Sequence, residues 1–148
     1  SQNQLLKWVQ QGYLQNTITL PTAQNSTIDY HDTSKSLELR VRSYVDINCS
    51  HCHAQDRHCD YRPMKFDFAS TYNNLTNMGV CVSTQDMQDF DPALDKIVNP
   101  GSPNRSMMYY RINTNNEAFM MPLHGRTMIH QEGVDLVAAW INSLQPCQ

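Results

Sequence analysis

A concentration of thiol and imidazole side chains occupies residues 48–59, a stretch that contains three of the five cysteines and three of the six histidines. Within it, Cys49, Cys52 and His53 form the pattern C-x-x-C-H, which is typical of covalent c-type haem attachment. Thiols at this spacing reach the two vinyl groups on one edge of a porphyrin, and the next residue is carried under the ring to the iron. The motif therefore predicts one covalently bound haem c, with His53 as an axial ligand.

Two other kinds of site use the same thiols. Cys49, Cys52, Cys59 and Cys81 together supply the four thiolates of a structural zinc site, although the second pair is much farther apart than the usual C-x₂₋₄-C element. A thioredoxin-like dithiol needs a strand followed by a helix around its C-x-x-C, whereas a helical pattern precedes this motif. Both alternatives stay open at this point.

A second axial ligand is predicted in the stretch MMPLHG, where Met121 directly precedes a proline in a loop before the last helix. Thioether sulfur is a soft, neutral ligand that favours reduced iron and raises the reduction potential. Met120 and His124 are the alternatives to Met121. The other methionines are assigned to packing, since methionine commonly fills gaps in a core.

The hydrophobic periodicity predicts helices and few strands, and so an all-α fold. Leu37, Val41, Tyr44 and Val45 share one helical face that ends at the cysteine motif. Ser102 and Pro103 provide the cap and first residue of a later helix. We predict helices at residues 3–14, 36–49, 103–112 and 130–144, with a loop-rich middle that has at most a short helix near 91–98.

Composition narrows the class of protein. A net charge of −3, with scattered lysine and arginine residues, argues against a nucleic-acid binder. No apolar run reaches the ~18 residues that a transmembrane helix needs. The middle third of the chain offers few apolar residues in any helical pattern, so we predict a thin core completed by a large apolar cofactor.

Four blocks of the sequence resemble a bacterial cytochrome c domain, namely RVRSYVDINCSHCH, IVNPGSPNRSMMYYRI, MMPLHG and EGVDLVAAWI. More narrowly, nearly the whole chain resembles the C-terminal haem domain of periplasmic dihaem c-type cytochromes. That resemblance implies a class I cytochrome c fold of three to five helices and long loops around one haem, with the first and last helices crossing. It carries over Cys49, Cys52, His53 and Met121. The second C-x-x-C-H of that family is absent here.

The resemblance also implies an organisation and a setting. Residues 1–32 would form an N-terminal helix and surface linker, and residues 33–148 the cytochrome c domain. We expect a periplasmic or otherwise exported protein with a redox partner protein, docked on or fused to a larger redox protein. In cytochromes c a proline carbonyl accepts the imidazole N–H, and Pro63 stands at that distance from His53. From charge alone, Arg105 and Arg111 are candidates to contact the haem propionates.

The remaining cysteines are Cys59, Cys81 and Cys147, and an odd total means that not all cysteines can pair with one another. Because haem attachment takes place outside the cytosol, where disulfides persist, we predict a Cys59–Cys81 disulfide across the irregular middle stretch. Cys147 is the alternative partner.

The predicted function is electron transfer by an iron whose two axial positions, His53 and Met121, are both filled. The module would be an electron carrier rather than an enzyme, within or beside a larger oxidoreductase. The alternative is a haem domain with a labile sixth ligand that acts as a peroxidase-like catalyst or a sensor. The neighbouring Met120 and His124 would supply the exchange of ligands that this alternative requires.

Overall fold

The fold is mostly helical, as the sequence predicts. The computed structural model describes residues 3–15 and 26–147, so part of the predicted surface linker lies outside the described residues. In the described part, extended backbone pairs only through isolated bridges, such as Val80 with Val98. The described residues form four α-helices: α1 (Gln4–Gln10), α2 (Leu37–Cys49), α3 (Met107–Ile112) and α4 (Gln131–Ser143). The 3₁₀ segments Pro92–Leu94 and Pro103–Arg105 lie between α2 and α3.

Helix α2 confirms its prediction in extent and in buried face. The side chain of Ser36 caps it by accepting a hydrogen bond from the Leu39 N–H at 3.3 Å. Val41, Tyr44 and Val45 are buried against the rest of the core. The helix ends at Cys49, which is the first residue of the cysteine motif. Burial of the apolar face holds the helix in place and therefore also positions the motif.

Helix α4 packs directly on α2. Its buried apolar side chains are Val134, Leu136, Val137, Trp140 and Ile141. Gly133 permits the close approach of the two helices, because a Cβ at that position would lie 2.7 Å from Tyr44 Cε2 and closer still to the hydroxyl end of that ring. The contact holds the start of α4 against the last turns of α2.

We expect Gly133→Ala to destabilise the protein by about 1–3 kcal/mol, the usual cost of forcing extra volume into a packed interior. Alanine is otherwise the better helix former by about 1 kcal/mol, so a purely local effect would have the opposite sign. Chemical denaturation of the single variant measures the change. In a Tyr44→Ala background the same substitution should become neutral or stabilising, and a persistent loss there would contradict the proposed clash.

Three predicted elements differ from the structure. Helix α1 is shorter than residues 3–14, because Gly12 adopts a positive φ of +78° beyond its end. The segment at 91–98 is reduced to one 3₁₀ turn. The helix at 103–112 is interrupted at Ser106, whose φ of −107° and ψ of 119° are extended. The buried Ser106 hydroxyl satisfies the Asn99 N–H at 2.8 Å and the Ser102 carbonyl at 2.9 Å, which stabilises that break.

The middle third contributes more to the core than predicted. This part of the chain has no helical periodicity and buries its apolar residues through turns and isolated bridges. A search for apolar residues at i and i+4 spacing therefore does not detect them. The residues concerned are Phe66, Phe68, Met78, Val80, Leu94, Ile97 and Val98.

The segment that precedes α2 packs on it. The Ile28 N–H donates to Ser43 Oγ at 3.1 Å, and Arg40 Nε donates to the Tyr30 carbonyl at 2.7 Å. His31 Nε2 lies 3.0 Å from Glu132 Oε2, so the segment also reaches the start of α4. None of the helices in the described ranges is long and apolar enough to cross a membrane.

Candidate haem site

The end of α2 presents the cysteine motif through a tight turn. The Cys49 carbonyl accepts hydrogen bonds from the N–H groups of Cys52 at 3.1 Å and His53 at 2.9 Å. The Cys52 carbonyl in turn accepts from the Cys59 N–H at 2.9 Å. These bonds fold the chain back on itself directly after the helix and bring Cys49, Cys52, His53 and Cys59 to the wall of one cavity.

The backbone of His53 is hydrogen-bonded through both its N–H and its carbonyl, and the residue is only 8% exposed. Its carbonyl accepts a hydrogen bond from the Phe66 N–H at 2.7 Å, and the Phe66 ring packs edge-on at a centroid distance of 5.6 Å. Its Nδ1 is buried and has no hydrogen-bond partner in the described part of the chain. Pro63 lines the same cavity, but the hydrogen bond predicted from His53 to the Pro63 carbonyl is not made.

The imidazole of His53 is neutral at neutral pH. Burial, followed by the nearby charge of Arg111, lowers the pKa of His53 to about 4. A neutral imidazole is the form that binds a metal, because the ligating nitrogen must carry a free lone pair. The environment therefore keeps this side chain ready for ligation over the physiological range.

The cavity has a volume of about 690 Å³, within the range of about 300–1,000 Å³ typical of small-molecule and cofactor pockets. Met121 and Pro122 line it together with the cysteine motif, and so does His124. Met120 is not among the lining residues. Apolar side chains from α2, the middle stretch, α3 and α4 also line it, among them Val45, Met64, Phe66, Ile97, Met107, Met108, Ile112 and Val137.

The loop that carries Met121 is tied to the end of α3. The Met121 N–H donates to the Arg111 carbonyl at 2.9 Å. Arg126 Nη1 donates to the carbonyls of Met121 and Ile112, each at 2.8 Å, and Nη2 donates to that of Thr114. Arg126 thus spans the two chain segments and positions the methionine, a role that sequence reasoning missed because nothing local distinguishes this arginine.

The state of Cys49 argues against a redox dithiol. Burial, and then the neighbouring Cys52, raise the pKa of the Cys49 thiol to about 12. Reactive dithiols depend on a lowered pKa, because the thiolate is the nucleophile. The Cys49 thiol is therefore protonated at neutral pH and lacks the thiolate form that a redox dithiol requires.

The disulfide prediction is wrong in its pairing. Cys81 is bonded to Cys147, with their Cα atoms 5.8 Å apart, while Cys59 is a buried free thiol beside the cavity. The Cys59 N–H donates to the Cys52 carbonyl, which keeps Cys59 beside the motif. The Cys81 N–H donates to the Val98 carbonyl at 3.0 Å, and at this position Cys81 can be reached by the chain after α4.

With Cys81 in a disulfide, the four-thiolate zinc site is excluded. No group of three or more His, Cys, Asp or Glu side chains that could hold a metal ion is assembled in the described ranges, the cysteine motif included.

The residues of the cavity fit a covalently attached haem. Two thiols at the required spacing and a neutral imidazole share the wall of one largely apolar cavity with a thioether. The buried, unpartnered Nδ1 of His53 shows that this ring is held by packing rather than by hydrogen bonds within the protein. The two arginines predicted near the propionates differ: Arg111 lines the cavity, while Arg105 is largely exposed and lies 4.0 Å from Asp95.

Comparisons of the chain with protein-family models, with curated proteins and with solved structures found no match.

Proposed function

We propose that the chain is a c-type cytochrome electron-transfer module with one haem attached at Cys49 and Cys52. The observation that carries the proposal is the cavity itself, whose wall brings together the attachment motif, the neutral imidazole of His53 and the thioether of Met121. Met121 lies far from the motif in sequence, and only the fold brings it to the same cavity. The crossing of α2 and α4 at Gly133 and Tyr44 supports a cytochrome c fold as part of the same proposal.

The bound haem supplies the one-electron Fe(III)/Fe(II) couple, and the protein keeps the surroundings of the iron the same in both states. His53 provides a neutral nitrogen ligand, and Met121 provides a neutral sulfur ligand that stabilises the reduced form. The apolar wall restricts water, which lowers the local polarity and the reorganisation that accompanies each transfer. Phe66, the turn hydrogen bonds at Cys49 and the Arg126 bonds to the methionine loop keep these ligands in place.

The electron donor or acceptor of such a module is another redox protein, and we place the chain in the periplasm or an equivalent exported setting. The Cys81–Cys147 disulfide is compatible with that setting, since disulfides persist in oxidising compartments. Maturation of the holoprotein also requires a host that attaches haem outside the cytosol.

We expect Met121→Ala to abolish the weak long-wavelength absorption band that thioether sulfur gives with oxidised haem iron, and to lower the reduction potential. The reason is the loss of a soft ligand that favours Fe(II). Spectra and redox titrations of the holoprotein measure both changes. Met120→Ala is the matched control, because Met120 is the neighbour that does not line the cavity.

Loss of the band in Met120→Ala, with its retention in Met121→Ala, would reverse the assignment. A native protein without the band that binds carbon monoxide rapidly would favour the alternative, a catalytic or sensing haem domain with an open sixth position. His124, which lines the same cavity and is exposed, is the side chain that such an exchange would engage.

A further inference from the structure

Arg111 is a cation in the cavity wall that forms no ion pair with any residue in the described part of the chain. It lies on α3, and its Nε is buried with no hydrogen-bond partner among the described residues. Its guanidinium carbon is 5.2 Å from the centroid of the Phe90 ring, which packs against it without neutralising it. Neither of the two acidic side chains that line the cavity, Asp86 and Asp89, forms an ion pair with it in the described structure.

Arg62 provides a contrast within the same wall. Its Nη1 lies 2.6 Å from Asp86 Oδ2 and donates to Gln85 Oε1 at 3.2 Å, so its charge is already compensated. Both guanidinium groups face the same cavity, and each is close enough to the other for their charges to repel. Only one of the two cavity arginines therefore lacks an anion.

A guanidinium whose Nε is buried and unpaired has lost part of its solvation, which costs free energy unless an anion replaces the water. Arginine presents a planar fork of N–H donors that matches a carboxylate in two parallel hydrogen bonds. A ligand that fills this cavity and carries a carboxylate would supply the missing anion, and haem carries two such groups, its propionates.

We propose that Arg111 forms an ion pair with one haem propionate and that Arg62 stays paired with Asp86, so that the two carboxylates of the cofactor are held unequally. This inference rests on the proposed function, since it requires the haem. It assigns to Arg111 the role of a binding residue that fixes the orientation of the cofactor and compensates one of its charges close to the iron.

The test compares Arg111→Gln with the double variant Arg62→Gln/Asp86→Asn in covalently loaded holoprotein. Removing Arg111 leaves a carboxylate charge uncompensated, which stabilises oxidised iron. We expect the ratio of oxidised to reduced protein at a fixed potential to rise about tenfold or more in Arg111→Gln. The double variant should change this ratio less than about threefold, because it removes an ion pair whose charges already cancel. Arg111→Lys keeps the charge without the fork and should fall between the wild type and Arg111→Gln.

Infrared spectroscopy separates an ion pair from a distant effect of charge. Haem made from 5-aminolevulinate labelled with carbon-13 at its carboxyl carbon carries the label in its propionates, so their stretching bands are identified by an isotope shift in reduced-minus-oxidised spectra. We expect those bands to change in Arg111→Gln and to remain unchanged in Arg62→Gln/Asp86→Asn.

Labelled bands that are the same in Arg111→Gln and wild type would overturn the proposal, and so would a larger effect of Arg62→Gln/Asp86→Asn on either measurement. A preparation without covalent haem would instead contradict the proposed function. The two failures are thus distinguished before any arginine variant is compared. If Arg111→Gln fails to accumulate as holoprotein, Arg111→Lys gives the same infrared comparison with its charge retained.

Discussion

The double variant Cys49→Ser/Cys52→Ser is expected to carry no covalently attached pigment, even when it is produced in a host that attaches haem. Each thioether bond consumes one of these two thiols, and a serine hydroxyl does not replace them. The folded protein offers no other pair at the C-x-x-C-H spacing in its described part. Denaturing gels stained for haem, together with the intact mass of the protein, measure the loss directly.

Cys59→Ser is the matched control for that experiment. Cys59 is a buried free thiol that lines the same cavity and is hydrogen-bonded to Cys52 through its backbone, but it lies outside the motif. We expect the control to keep its full complement of haem. Pigment that survives denaturation of the double variant, or that disappears with Cys59→Ser, would contradict the assignment of Cys49 and Cys52 as the attachment residues.

The second large effect concerns stability and does not depend on the haem. Replacing Cys81 and Cys147 with serine is expected to lower the free energy of unfolding by about 4 kcal/mol in the chain-entropy model. The disulfide joins residues separated by 66 positions, so its removal releases a long closed loop in the unfolded chain. It also frees the segment after α4 from the isolated bridge between Val80 and Val98. Denaturant unfolding of the variant and the wild type measures the difference.

The single variants Cys81→Ser and Cys147→Ser should each reproduce most of this loss, while Cys59→Ser should leave the disulfide intact. Peptide mapping of the oxidised protein without reduction checks the pairing independently. A linked Cys59–Cys81 peptide would restore the shorter pairing predicted from the sequence and contradict the structure. Retention of the haem spectrum in Cys81→Ser/Cys147→Ser would show that the disulfide stabilises the fold without forming part of the cofactor site.

Together, the proposed site and the arginine contacts describe a cavity whose parts have separate tasks. In the proposed holoprotein, the motif at the end of α2 would attach the cofactor, and His53 and Met121 would bind its iron. Arg126 positions the methionine loop by bonding to backbone carbonyls. Arg111, on the helix to which that loop is tied, would compensate a charge of the cofactor. The end of α3 would therefore serve both the loop and the haem, and substitutions there should affect the ligand and the potential together.

The sequence by itself determined the elements that local interactions control. Helix α2 follows from a repeating apolar face and a serine cap, and helix α4 follows from the spacing of Val134, Val137 and Ile141. The attachment motif is likewise local, since Cys49, Cys52 and His53 meet through one turn whose hydrogen bonds span four residues at most. Patterns of this kind depend on neighbours along the chain, which a sequence displays directly.

Only the tertiary structure decided which distant groups meet. It paired Cys81 with Cys147 rather than with the nearer Cys59, and it placed Met121 but not Met120 on the cavity. Among the described residues, Nε of Arg111 has no hydrogen-bond partner, while Arg62 forms an ion pair with Asp86. These outcomes follow from how turns without helical periodicity pack around α2 and α4, and such packing is set by contacts between residues far apart in the chain, for which spacing along the sequence carries no signal.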